Sequence, residues 1–334
     1  MKRVLPFSLA LAGAFAAVDG TVYNRTLCKP QPGAVVALYK LGPDGMEWVE
    51  RAKSDAKGKF LIAQIPQGPS LLQTAYDGVT YNHMLPPGSP TNNLELEVFN
   101  SSRLPGGAQV VQHMVLFEPT GKELSVSESF IFRNDGKITY NDPQRGTLRF
   151  FLPEKAQGSV QVNAQAPQGM PIRRAADKTE QPNVYQVDFP IKPGETRIDL
   201  TYLMVFANPG VFESRLLYRG GPTRLVAPAG VTIQGEGIES LGQEPRTRAS
   251  IYGVKGREYT VQILGTGSLR GPDGTSEEEA GPSIEQILPK MYDRRYLVLG
   301  LALLILGLGF LMLYRRAAPV RPDASEPARG SRRG

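Results

Sequence analysis

Residues 184–206, VYQVDFPIKPGETRIDLTYLMVF, carry two apolar runs on either side of a Pro193-Gly194 turn signal. In the second run Ile198, Leu200 and Tyr202 occupy alternate positions, so an extended chain places all three on one face. The stretch reads as a β-hairpin. A second hairpin is expected where Phe130-Ile131-Phe132 leads through Asn134-Asp135-Gly136-Lys137 to Ile138, because Asp-Gly suits a type I′ turn.

The same short alternation recurs outward from these two places. Strands are expected at 110–117, 124–132, 137–140, 147–152, 159–164, 184–191 and 196–206. Shorter runs come later at 215–218, 231–234, 250–254 and 259–264, and earlier ones lie at 19–25, 34–39, 46–53, 59–65 and 70–76. No amphipathic helix of three turns interrupts them between residues 17 and 295. The 36 Gly and 28 Pro among 334 residues fit many turns and disfavour a helical architecture. With 41% hydrophobic residues the chain has material for two or three cores. The fold class is therefore all-β, built of tandem sandwiches.

The first quarter carries a resemblance. Gly20-Thr21-Val22-Tyr23, Pro32 to Leu38 (PGAVVAL), Ser54 to Phe60 (SDAKGKF) and Ile65-Pro66-Gln67-Gly68 resemble, in order and spacing, the carboxypeptidase regulatory-like domain, a small transthyretin-like β-sandwich. The resemblance implies that Asp55 and Gly58 shape a hairpin turn and that Phe60 fills the core. It also implies a non-catalytic accessory module, which speaks to fold more than to function. The Gly42-Pro43-Asp44-Gly45 turn and the strand bearing Trp48 depart from the pattern.

Both ends read as membrane signals. Lys2 and Arg3, the apolar residues 4–15, and Ala14 and Ala16 at signal-peptidase spacing make 1–16 an export signal. Residues 296–314, YLVLGLALLILGLGFLMLY, carry no charge and are long enough as a helix to span the hydrocarbon core. Tyr296 and Tyr314 suit the two interfaces, and Arg294-Arg295 and Arg315-Arg316 bracket the run. The tail beyond holds six Arg, so a single-pass orientation with the N-terminus outside and the C-terminus cytoplasmic is expected.

The expected organisation is a signal peptide at 1–16, a regulatory-like sandwich at 17–93, a second, immunoglobulin- or transthyretin-like sandwich at 94–210, and a small β unit at 211–270. A linker at 271–295, a transmembrane helix at 296–314 and a disordered cytoplasmic tail at 315–334 complete it.

Net charge is +6, from 38 basic and 32 acidic residues. With Lys2, Arg3 and the tail's six Arg, one Asp and one Glu set aside, thirty residues of each sign remain between. The basic excess marks topology, and the balanced outer region makes no electrostatic case for nucleic acid.

Catalytic material is thin. No G-x-S-x-G elbow, GxGxxG or P-loop is present, and the two His and one Cys leave little for acid–base chemistry or a disulfide framework. Cys28, lacking a partner, is expected to be buried near the first strand. Asp135, Asp142 and Glu154 read as solvated turn acids, and Trp48, Tyr76 and Tyr81 as packing residues before contact residues. His83-Met84 and His113-Met114 pair imidazole with thioether, donors suited to copper or haem iron. A periplasmic metal- or haem-handling role through those four residues is the alternative, weakened by the absence of ligand spacing within one element and by the reading of His83 as a Pro-rich-loop residue.

The principal expectation is a non-enzymatic, membrane-anchored extracytoplasmic binding or scaffold protein of the cell envelope. It would need no cofactor, be held by residues 296–314, and contact a protein, peptide or glycan through sandwich loops and edges.

Overall fold

A computed structural model of the chain describes residues 18–43, 45–64, 68–156, 160–269 and Met312. The expected signal at 1–16, the linker at 271–295, the run 296–314 apart from Met312, and the tail lie outside the described residues. Among the described residues no helix is long and apolar enough to cross a membrane.

The molecule is all-β, with alternation of buried and exposed side chains as the main ordering principle. In the N-terminal sandwich, β1 (Val18–Asn24), β2 (Lys29–Pro30), β5 (Lys59–Ile62) and β8 (Leu94–Val98) form one sheet. The other sheet runs β4 (Gly45–Lys53), β3 (Val35–Gly42), β6 (Ser70–Tyr76), β7 (Val79–Leu85). Val18, Val22, Val36, Leu38, Phe60 and Leu72 meet between the sheets in one core. Phe60 is buried there, as the family resemblance implies.

The turn before Phe60 differs from the expected hairpin. Asp55 Oδ1 accepts the Lys57 and Lys59 amides, each at 2.8 Å, and Gly58 takes φ +75°. The chain here passes from β4 in one sheet to β5 in the other. A Cβ on Gly58 would approach the Val22 carbonyl oxygen to 2.8 Å, so packing and φ both call for glycine.

β8 pairs in parallel with β1, and Gly20 lies so close that a Cβ there would sit 2.2 Å from the Leu94 carbonyl oxygen. Residues 94–98 thus complete the N-terminal sandwich, although the expected organisation assigns them to the second one. β7, absent from the expected strands, pairs with β6 across the Asp77-Gly78 turn. Cys28 is exposed at a positive φ of 52°, and not buried, because the turn between β1 and β2 faces outward.

The chain then makes β9 (Ser101–Ser102), β10 (Ala108–Thr120), β11 (Glu123–Asn134), β12 (Thr139–Tyr140), β13 (Leu148–Phe151) and a 3₁₀ turn at Glu154–Ala156. Next come β14 (Gln161–Gln165), β15 (Ile172–Arg174), β16 (Asp177–Lys178), β17 (Val184–Val187) and β18 (Gly194–Val205). β19 (Gly210–Arg215), β20 (Thr223–Ala227), β21 (Val231–Gln234), β22 (Ile238–Gln243), β23 (Ser250–Val254) and β24 (Glu258–Gly265) finish it.

An eight-stranded sheet ordered β15-β14-β18-β11-β10-β20-β23-β22 packs with two three-stranded sheets, β13-β17-β16 and β19-β24-β21, around a second core. Strands after residue 210 enter both layers: β20 pairs in parallel with β10, and Phe212 meets Phe117 edge-on at 4.8 Å between ring centres. The residues expected as a separate small unit at 211–270 instead supply strands to this sandwich, three to the eight-stranded sheet and three to the layer facing it.

Neither expected hairpin closes locally. β11 pairs with β10 and β18, while Asn134 Oδ1 accepts the Gly136 amide at 3.0 Å and turns the chain out of the sheet. β17 pairs with β13 and β16, so Pro193-Gly194 carries the chain between layers. The alternation itself holds: Ile198, Leu200 and Tyr202 are all buried.

Candidate functional site

Two features stand out from this framework: the seam between the sandwiches and a polar cluster inside the second core. The seam is tied by short, specific bonds. β9 pairs with β12, Tyr81 OH donates to the Phe99 carbonyl at 2.9 Å and lies 2.9 Å from Thr139 Oγ1, and Asp77 Oδ2 accepts the Ser101 amide at 2.6 Å. Asn24, in one of the two Asn-x-Ser/Thr sequences, is fully buried, its amide donating to Gln31, Tyr76 and Asn100.

Beside this seam are two hollows of about 350 and 380 Å³, which share Asn82 and Lys192 in their walls. Lys192 is half-buried, donates from Nζ to the Thr80 carbonyl, and stands 5.0 Å from the centre of the Tyr81 ring. Desolvation pulls its ammonium down to about 8. None of the ion pairs among the described residues involves it. Glu95 and Glu97, which also line the hollow, are both engaged by Arg25. A wider surface hollow of about 850 Å³ lies beside Arg215 and Glu258, where the two charges pair at 2.9 Å.

The second feature starts from β11. Leu124, Val126, Glu128, Phe130 and Phe132 are its inward positions, and Glu128 is the one carboxyl among them. Glu128 Oε2 meets His113 Nε2 of β10 at 2.9 Å, and its Oε1 accepts Tyr202 OH of β18 at 2.6 Å. His113 Nδ1 lies 3.4 Å from Thr223 Oγ1, itself 2.8 Å from Tyr218 OH, and the imidazole stacks on Phe130 at 4.0 Å. His113 and Glu128 are 1% and 3% exposed, so the cluster is a hydrogen-bonded part of the core with no opening for a substrate. An acid at an inward position of an otherwise apolar strand face is the sequence signal that points to it.

The His-Met residues are not gathered. His83 and Met84 lie on the edge strand β7, not in a loop, while His113 and Met114 lie on β10, with His113 sealed by Glu128 and Thr223. Among the described residues no three His, Cys, Asp or Glu side chains converge as a metal site. Asp142, expected to be solvated, is buried, its Oδ1 accepting the Gln144 and Arg145 amides. Tyr81 is core, Tyr76 half-buried and Trp48 58% exposed. Lys192 is not legible in the sequence, because nothing local sets it apart from a surface lysine.

Burial also sets the alkaline limit of the fold. The Tyr202, Tyr218 and Tyr259 hydroxyls are held far above their usual ionisation range by desolvation, and Tyr81 is pushed up to about 12 for the same reason. Folded-state values raised above the unfolded value of 10 give stability that is whole below pH 10 and lost above it. The loss is about 1.4 kcal/mol per pH unit for each such tyrosine. Lys192 works in the opposite sense between about 8 and 10.5, as a single group. The urea midpoint is expected to drop steeply between pH 10 and 11.5, and an unchanged midpoint there would contradict this account.

No family model matches the chain, and no curated protein matches it. Among solved structures it is similar to an M1 zinc metallopeptidase from Deinococcus radiodurans, 16% identical over 47% of this chain and 42% of that one, with a TM-score of 0.26. A mutant of that enzyme bound to a Tyr-ser-ala substrate gives 17% identity over the same shares, also at 0.26. The chain spans less than half the length of these neighbours, and a likeness at that score carries no argument about fold or activity.

Proposed function

We propose that this protein is a non-catalytic, single-pass membrane-anchored binding or scaffold protein of the cell envelope, with its sandwiches outside the cytoplasm. The N-terminal sandwich is a carboxypeptidase regulatory-like module, and the partner is a protein, peptide or glycan met at loops and sheet edges. The observation that carries this reading is the concave seam beside Lys192, a recess of mixed polar and apolar lining bounded by strand edges and tied by the bonds of Tyr81, Asp77 and β9. Such a recess suits recognition. The uncharged run 296–314 with its flanking Arg pairs supports anchorage, and the export signal at 1–16 supports the orientation.

Cys28 gives a direct test, since it is the chain's single cysteine and is exposed. A membrane-impermeant maleimide is expected to label it in intact cells whose outer barrier alone has been opened. The protein is expected to stay in the membrane pellet through carbonate washing, and to leave it when residues 296–314 are deleted. Labelling only after full lysis, or release of the intact chain by carbonate, would overturn the reading.

A further inference from the structure

The seam says more about the partner than the general reading does, and the finer reading rests on the general one. Both sheets of the N-terminal sandwich end here: β7 is the last strand of β4-β3-β6-β7, and β8 is the outer neighbour of β1. The two-residue turn Asp77-Gly78 makes Tyr76 and Val79 the closing hydrogen-bonded pair of the hairpin. Pairs alternate from there, so Thr80, Asn82 and Met84 direct their backbone N–H and C=O groups away from β6. The Thr80 carbonyl is taken by Lys192, which blocks the edge at that point. From Asn82 to Leu85 the edge pairs with no further strand among the described residues, and its Asn82 and His83 border the 380 Å³ hollow.

A strand added antiparallel to β7 would enter near Leu85 and run toward Thr80. It would have to stop at Lys192. The last group of such a strand is its terminal carboxylate, and it would arrive at a half-buried ammonium that no carboxylate of the described residues neutralises. We propose that the seam is a binding site for the C-terminal end of an extended peptide, which pairs with the free edge of β7 at Asn82 and Met84 and sets its terminal carboxylate on Lys192. Main-chain pairing supplies the grip and the lysine selects the chain end. The lowered ammonium of Lys192 fits this role, because an arriving carboxylate restores the charge that desolvation disfavours.

The test uses the full chain in detergent micelles and a synthetic library of randomised pentapeptides, in one arm with free C-termini and in the other with C-terminal amides. Free-acid peptides are expected to be retained at least about tenfold better than amides, with the preference lost in Lys192→Met and kept in Lys192→Arg. For a retained sequence, methylation of backbone nitrogens at alternate positions is expected to abolish binding at one parity only. Equal retention of amides, retention by Lys192→Met, or no retention in either arm would overturn the proposal. So would Lys192-dependent capture of a uronic-acid oligosaccharide in place of peptides. Cys28 labelling decides the envelope reading independently, so failure of one is not failure of the other.

Discussion

Glu128→Leu is expected to cost about 3–5 kcal/mol of unfolding free energy, the largest effect of any polar substitution in the described residues. The side chain is buried between β10 and β18, and leucine keeps much of its bulk, so lost volume is a minor part of the effect. What is lost is the partner of two buried groups, His113 Nε2 and Tyr202 OH, and each buried orphan costs about 1–3 kcal/mol. The companion variant separates this from a packing defect. Glu128→Leu combined with His113→Leu and Tyr202→Phe leaves no orphan and is expected to regain much of the stability. Urea denaturation followed by circular dichroism measures both, and a single-variant loss below about 1 kcal/mol would refute the account of the cluster as a buried hydrogen-bonded unit.

Phe212→Ala is expected to cost about 3–5 kcal/mol as well, by a different route. Phe212 is fully buried, packs edge-on against Phe117 of the eight-stranded sheet, and lies 6.3 Å from the Tyr259 ring. Removing it opens a cavity where the two layers meet, so the damage belongs to the whole second sandwich. Amide hydrogen exchange is expected to show β10 and β11 losing protection together with β19, β21 and β24. Loss confined to β19, β21 and β24 would mean that residues 210–265 are a separate cooperative unit, contrary to the shared core.

The contrast between the two variants shows what a sequence exposes. Period-two alternation reports burial one strand at a time, and it places Ile198, Leu200, Tyr202 and Phe60 inside because each strand buries one face. It does not report which strands are neighbours. Asp135-Gly136 and Pro193-Gly194 carry the composition of hairpin turns, yet Asn134 caps the first and the second joins two layers. Likewise the boundaries expected after residues 93 and 210 are not where the cores divide, because β1 recruits residues 94–98 and β10 recruits β20 over long separations. Cys28 and Asp142 exchange their expected environments for a similar reason: exposure in a turn is set by what packs over it.

The sequence by itself determined an all-β fold class and a strand-rich stretch of balanced charge, and it set the expectation of one uncharged span near the C-terminus, since these follow from local periodicity, turn residues and composition. Only the tertiary structure decided that the strands form two cores divided near residue 100, that an acid on β11 meets a histidine and a tyrosine from its two neighbours, and that Lys192 comes to rest on the edge of β7. Those are pairings between residues 15 to 112 positions apart. Their partners are chosen by sheet register and by the burial of each strand's apolar face against another, which no local window of the chain contains.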